Sequence, residues 1–172
     1  MLITTNRLTI RPVEESDWKN AKRIWEDFSA SQYVKYDGPH ATQEEAVRQR
    51  ISRWAGFSQS REHMFFAVCL HGEMIGYIAC NIREDSYELG YCFHSDYAGK
   101  GYAKESHLAL FEYLRSMGIK RLTVGTALNN IPSVRLLHSL GFQKIGEEKV
   151  SFYQDEEGKD IVFDGGIFEL LL

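Results

Sequence analysis

The sequence predicts an α/β protein in which strands and helices interleave, and three observations carry that expectation. Apolar residues switch repeatedly between a period near two and a helical period. Glycines, prolines and capping residues fall where one period gives way to the next. No repeat, low-complexity tract or linker interrupts the pattern, so one domain spanning residues 1–172 is expected. The predicted order is β α α β β β α β α β β.

Leu8, Ile10 and Pro12-Val13 suggest the first strand. Ser16 and Asp17 offer a cap for a helix carrying Trp18, Ala21, Ile24, Trp25 and Phe28. Thr42-Gln43-Glu44-Glu45 has the form of a capping box, followed by Ala46, Ile51, Trp54 and Ala55 at helical spacing. The three tryptophans lie among apolar positions and are expected to pack in the core. Met64 to Leu70 and Met74 to Ile82 read as a hairpin about the turn His71-Gly72-Glu73, and Glu88 to His94 as the next strand. Leu108, Phe111 and Leu114 mark a helix from Ala103 to Met117, closed by Gly118. Arg121 to Thr126 reads as a strand and Pro132 to Leu140 as a short helix stopped by Gly141. Phe142 to Val150 and Ile161 to Leu171 read as two last strands joined by the polar turn Asp155 to Lys159.

Composition limits the function classes. The chain of 172 residues is 44% hydrophobic and 26% charged, enough for a full core. No run approaches the roughly 18 apolar residues of a membrane span, and the start lacks the long apolar region of a secretory signal. A cytoplasmic protein without a membrane partner is therefore expected. A formal charge of −4 with no dense basic tract argues against nucleic-acid binding and suits a cationic substrate such as an amine. Cys69, Cys80 and Cys92 sit in apolar, β-prone runs and read as small buried hydrophobes. His40, His63, His71, His94, His107 and His138 never form a metal-like pair at helical spacing, so no metal is expected.

The chemistry concentrates in Ala98-Gly99-Lys100-Gly101-Tyr102-Ala103, between a strand and a helix. Glycines let the backbone turn sharply, and free amides at the positive end of a helix attract phosphate oxygens. Two nucleotide motifs fail on spacing. The Walker A pattern requires Gly at His94 and Ser or Thr after Gly-Lys, and the dinucleotide fingerprint requires Gly or Ala at Lys104.

The segment resembles the Gln/Arg-x-x-Gly-x-Gly/Ala signature of the GNAT superfamily, with Ala98 in place of the long polar residue. A second stretch, Asn130-Ile131-Pro132-Ser133 with Leu137 and Gly141-Phe142, resembles that family's Asn-x-x-Ser helix and its Gly-Phe ending. Glu88-Leu89-Gly90-Tyr91, Tyr102-Ala103-Lys104-Glu105 and Ser133 are similar to the RimJ/RimL branch, which acetylates ribosomal-protein N-termini and other amines.

The resemblance implies a central mixed, mostly antiparallel sheet of about seven strands, splayed between the fourth and fifth and flanked by four helices. It implies an N-acetyltransferase using acetyl-CoA and a primary amine, a small molecule or a protein N-terminus, by direct attack in a ternary complex. A non-catalytic acyl-CoA sensor or scaffold is the alternative. Tyr91, Cys92, Phe93 and His94 would bind the pantetheine arm, with the Phe93 amide against the thioester carbonyl. Ala98, Gly99, Lys100, Gly101, Tyr102 and Ala103 would hold the pyrophosphate, and Asn130 the pantetheine amides. Glu88 is the expected base, and Ser133 the expected acid and a cofactor contact, because Leu137 stands where other members carry an acidic Tyr. Tyr33, Tyr36, Asp37 and Asp164 would face the amine. A homodimer is possible by analogy with the family.

Overall fold

A computed structural model of the chain describes residues 1–58 and 60–172. Its sheet has eight strands: β1 (Ile3–Thr4), β2 (Leu8–Pro12), β3 (His63–Leu70), β4 (Glu73–Ile82), β5 (Tyr87–Phe93), β6 (Arg121–Ala127), β7 (Gln143–Gln154) and β8 (Asp160–Leu171). They lie in the order β1-β2-β3-β4-β5-β6-β8-β7. The strand beyond the expected seven is the two-residue β1, which pairs with β2. Among the described residues, four α-helices flank the sheet: α1 (Trp18–Ser29), α2 (Glu44–Gly56), α3 (Tyr102–Ser116) and α4 (Ile131–Ser139).

All neighbouring strands run antiparallel except β5 and β6, which α3 connects in parallel. Their register holds only for Tyr87↔Leu122 and Glu88↔Thr123, after which the strands part. That break divides the fold. Leu89, together with the half-buried Tyr91 and Phe93, packs into the core with Leu110, Phe111 and Leu114 of α3 and Leu137 of α4. The other face holds Ala21, Ile24 and Trp25 of α1 and Val47 and Ile51 of α2, with Cys92 packed against them. Alternation along β5 therefore turns Glu88, Gly90 and Cys92 toward α1 and α2, and Leu89, Tyr91 and Phe93 toward α3 and α4.

Several local expectations change in detail. Helix α2 starts at Glu44 with Gln43 at the cap and no side-chain cap bond, so Thr42 builds no capping box. Asp17 does stand before α1, but its carboxylate is spent elsewhere: it takes two bonds from Arg11, at 2.7 and 2.8 Å, and one from the Glu14 amide at 2.8 Å. This buried, forked pair ties β2 to the start of α1. On α3, Leu108 is 46% exposed, and the buried row is His107, Leu110, Phe111 and Leu114. The turn between β3 and β4 is the dipeptide His71-Gly72, with φ of 50° and 86°, and Glu73 already belongs to the strand. Positive φ at both central residues suits the twist of a two-residue hairpin.

Trp25 is fully buried and donates to the Tyr77 hydroxyl at 3.1 Å. Trp54 stacks on Phe65, and Trp18 lies half-buried under the Arg48 guanidinium. Cys69 and Cys80 are buried, and Cys92 is half-buried. The Phe93 ring lies across Gly76, where a Cβ would come within 2.3 Å of it. Gly76 is thus the residue that lets the end of β5 sit flat on β4.

His107 is a buried titratable group in the apolar core. Its Nδ1 lies 2.7 Å from the Ala103 carbonyl, so that nitrogen carries the proton and donates, while Nε2 is buried without a partner among the described residues. Burial pushes its pKa down from 6.5 to about 4, against a smaller raising effect of the Ala103 bond. As pH falls through 6.5 the unfolded chain takes up this proton and the folded chain does not, so stability declines until about pH 4. The loss is expected to be on the order of 3 kcal/mol across that window. Thermal denaturation against pH should show this decline in the wild-type protein and a clearly flatter profile in His107→Phe.

Candidate functional site

The parting of β5 and β6 opens a cavity of about 370 Å³ through the sheet. Its walls carry Glu88, Gly90 and Tyr91 from β5, Gly125 and Thr126 from β6, and Asn130 and Ser133 at the start of α4. A Cβ added to Gly90 or Gly125 would meet nothing within 4 Å, so the walls leave room for a chain to pass. The His94 amide donates to the Ile75 carbonyl of β4 at 3.0 Å. Because amides alternate from edge to edge along a strand, those of Tyr91 and Phe93 face the gap instead. These are strand-edge groups with no β6 partner, the kind that must find a ligand or water.

The two faces of the sheet bring different groups to this opening. From the α3 and α4 side, the Ser133 hydroxyl lies 2.7 Å from the Tyr91 hydroxyl and accepts from Thr126 Oγ1 at 2.9 Å. Ser133 sits in the first turn of α4, where the helix end is positive. Asn130 caps that helix, its Oδ1 accepting from the Ser133 amide at 3.4 Å. Leu137 is fully buried in the core and does not line the cavity. From the opposite face come Glu88, which pairs with Arg83, and Phe28, Tyr36 and Asp37.

The structure brings two of the four expected acceptor residues to the cavity. Tyr36 and Asp37 line it. Tyr33 stands behind Tyr36, with ring centroids 6.5 Å apart. Asp164 is paired with Lys149 across the β7–β8 hairpin, and it is the neighbouring Phe163 and Gly165 that reach the cavity. Alternation along β8 gives the reason, since residues on either side of Asp164 share the inner face. Other lining residues had no sequence signal of their own: Asn81, Thr126, Glu148 and Val150. Period two could have put Thr126 opposite Gly125 on β6, but only the packing of α4 brings it to Ser133.

The glycine-rich segment forms the turn that its composition suggests. Gly99 has φ +71° and Gly101 φ +80°, the left-handed region that favours glycine. Gly101 is the cap residue of α3 and supplies no side-chain bond, and the first amide to enter the helical ladder is Glu105, to the Gly101 carbonyl at 3.0 Å. The amides of Tyr102, Ala103 and Lys104, in the first turn, have no intrahelical acceptor. Ala98 is exposed, Tyr102 and Ala103 are half-buried, and the Lys100 ammonium turns back to the Asp96 carbonyl at 2.8 Å. His94 stands at the other end of the segment, its Nδ1 accepting from the Asp96 amide at 3.2 Å.

Arg7, which attracted no attention in the sequence, braces this turn. It donates to the Lys100 carbonyl at 2.9 Å, pairs with Glu105 at 2.6 Å and covers the Tyr102 ring at 4.4 Å. Desolvation would raise the Glu105 carboxyl, but bonds from Thr5 and Arg7 together hold it below its ordinary range. Burial pushes the Cys92 thiol up to about 12, so it stays protonated and unreactive despite its place beside the gap. Among the described residues no group of three or more His, Cys, Asp or Glu side chains is arranged to hold a metal.

Comparison with known proteins agrees with this geometry. Residues 7–143 match the family described as "Acetyltransferase (GNAT) domain". The chain is 32% identical over 151 residues to the uncharacterized N-acetyltransferase YnaD of Bacillus subtilis (strain 168), covering 85% of each chain. It superposes on the GNAT-family acetyltransferase of Bacillus anthracis with a TM-score of 0.76 and 27% identity, over 99% of this chain and 98% of that one. With a TM-score of 0.84 and 18% identity, it shares the fold of RimL, a ribosomal L7/L12 alpha-N-protein acetyltransferase solved with coenzyme A; the match covers 100% of this chain and 98% of that one. A sheet that forks beside a glycine-built helix start, matched across this much of the chain, establishes that the protein belongs to the GNAT family of acetyltransferases.

Proposed function

We propose that the protein transfers an acetyl group from acetyl-CoA to a primary amine by direct attack within a ternary complex. The observation that carries this reading is the fork, which opens through the sheet and presents a hydroxyl cluster on one face and a carboxylate on the other. Donor and acceptor can then approach from opposite faces and meet between the strands. Such positioning converts a bimolecular reaction into an effectively unimolecular one.

On the donor side, the open amides at Gly99 to Lys104 and the positive end of α3 suit a pyrophosphate. The gap-facing amides of Tyr91 and Phe93 suit an extended pantetheine arm added like a strand, running from His94 past Cys92 toward Tyr91. The Phe93 amide, aimed at the thioester carbonyl, would stabilise the charge that develops on its oxygen. Asn130 and Ser133 stand at the end of this path, with Ser133 at the leaving sulfur.

On the acceptor side, Asp37, Glu88 and Glu148 line the cavity, and among the described residues no Lys, Arg or His does. A protonated amine is the ligand that such a lining favours, with Phe28, Tyr36, Phe152 and Phe163 covering its apolar flank. Glu88 then takes a proton from the ammonium and so frees the lone pair that attacks, once its exposed pairing with Arg83 gives way.

Acetyl-CoA titration followed by thiol release over a panel of primary amines tests the reading. Saturable binding with release on at least one amine is the expected result, and absence of binding at millimolar acetyl-CoA would sink it. Glu88→Gln should lower kcat by roughly 100-fold with little change in KM for acetyl-CoA. Part of that loss should return at alkaline pH, where the amine is already neutral. Glu105→Ala, which frees Arg7 from the cradle, should instead raise KM for acetyl-CoA several-fold and leave kcat within about twofold.

A further inference from the structure

The Ser133 hydroxyl stands between two others. Thr126 donates into it, and the Tyr91 phenol lies at 2.7 Å. Tyr91 has no other hydroxyl partner among the described residues, and a buried phenolic O–H is normally satisfied. Either hydroxyl of this pair can donate; the phenol is the stronger acid, which favours Tyr91 as the donor and Ser133 as the acceptor. A serine oxygen carries one proton and two lone pairs. With both lone pairs taken, the one remaining direction carries the Ser133 proton, and all three residues line the cavity.

We propose that Tyr91 and Thr126 are positioning residues that aim the Ser133 proton at the leaving sulfur; the inference rests on the acetyl-transfer reading above. The acceptor nitrogen forms the C–N bond, the C–S bond breaks, and its electron pair goes to sulfur. Ser133 donates a hydrogen bond to that sulfur, strengthened by the two hydroxyls behind it. Glu88 takes one proton from the ammonium before attack and passes it to solvent; the second, shed by the nitrogen once the C–N bond has formed, restores the thiol through solvent, so the three hydroxyls end as they began. Burial holds the Tyr91 phenol up at about 12, which keeps it a neutral donor over the working range. The network also explains why β5 supplies a Tyr here: its ring packs edge-on to His107 at 4.9 Å, which fixes the hydroxyl over α4.

Tyr91→Phe keeps the ring and removes the hydroxyl, and Thr126→Val does the same for the second donor. Each should lower kcat about tenfold while KM for acetyl-CoA stays within about twofold. The loss should shrink when the acetyl donor carries a more acidic thiol than CoA, because its sulfur needs less help to leave. In a Ser133→Ala background, Tyr91→Phe should cost nothing further.

A readout without turnover is the thiol titration of bound CoA, followed by thiolate absorbance. It should fall below that of free CoA in the wild type and move back toward it in either variant. A purely structural brace would change thermal stability and KM but not this titration or the leaving-group dependence. Wild-type kcat in both variants, or an unmoved thiol titration, overturns the inference. Should Tyr91→Phe fail to fold, Thr126→Val decides by the same measures. If the wild type binds CoA and shows the expected titration yet releases no thiol with any amine, the transfer reading fails and the hydroxyl geometry stands.

Discussion

The interaction on which the rest of this structure depends is one that stops: the β5–β6 ladder ends after Glu88↔Thr123. An unbroken sheet would satisfy every backbone amide of β5 and leave no passage between its faces. By parting, the strands leave the Tyr91 and Phe93 amides without a β6 partner along one edge and create a cavity lined by residues from both faces of the sheet. The helices that cover those faces were needed for burial in any case. The site is therefore a by-product of how a parallel pair inside an antiparallel sheet is connected and then released.

The division of labour follows from the pleat of β5. Residues one apart point to opposite faces, so Glu88 and Tyr91 on the same short strand serve opposite sides of the opening. Each face adds what its helices can offer. The α4 start contributes Ser133 and a positive helix end, while the region after α1 contributes Tyr36 and Asp37. The charged groups are mostly solvent-screened, and the weight of the site rests on short, partly buried hydroxyl contacts.

The glycine turn is held by partners far away in sequence. Thr5 and Arg7, on the N-terminal segment, reach Glu105 and the Lys100 carbonyl, and so fasten the first strands to the start of α3. Glycine provides the left-handed backbone, but glycine alone leaves such a turn with many conformations. The Arg7 fork restricts it from outside. This arrangement also puts a guanidinium near the cradle in a chain whose Ala98 lacks the long polar side chain of the family signature.

The sequence alone determined what is local. Period-two and helical runs, Gly118 and Gly141 as helix stops, and the glycine turn at Gly99 and Gly101 are each set by residues within a few positions of one another, and all were legible. Errors at this level were also local: Thr42 and Leu108 fit a pattern that neighbouring residues fit better. Tertiary structure decided what depends on register and on which face meets which helix. The point where β5 leaves β6, the turning of Asp164 away from the cavity, the meeting of Tyr91, Thr126 and Ser133, and the reach of Arg7 to Lys100 all join residues far apart in the chain. No periodicity encodes them, because they are fixed by packing between elements and not by the backbone preferences of any one segment.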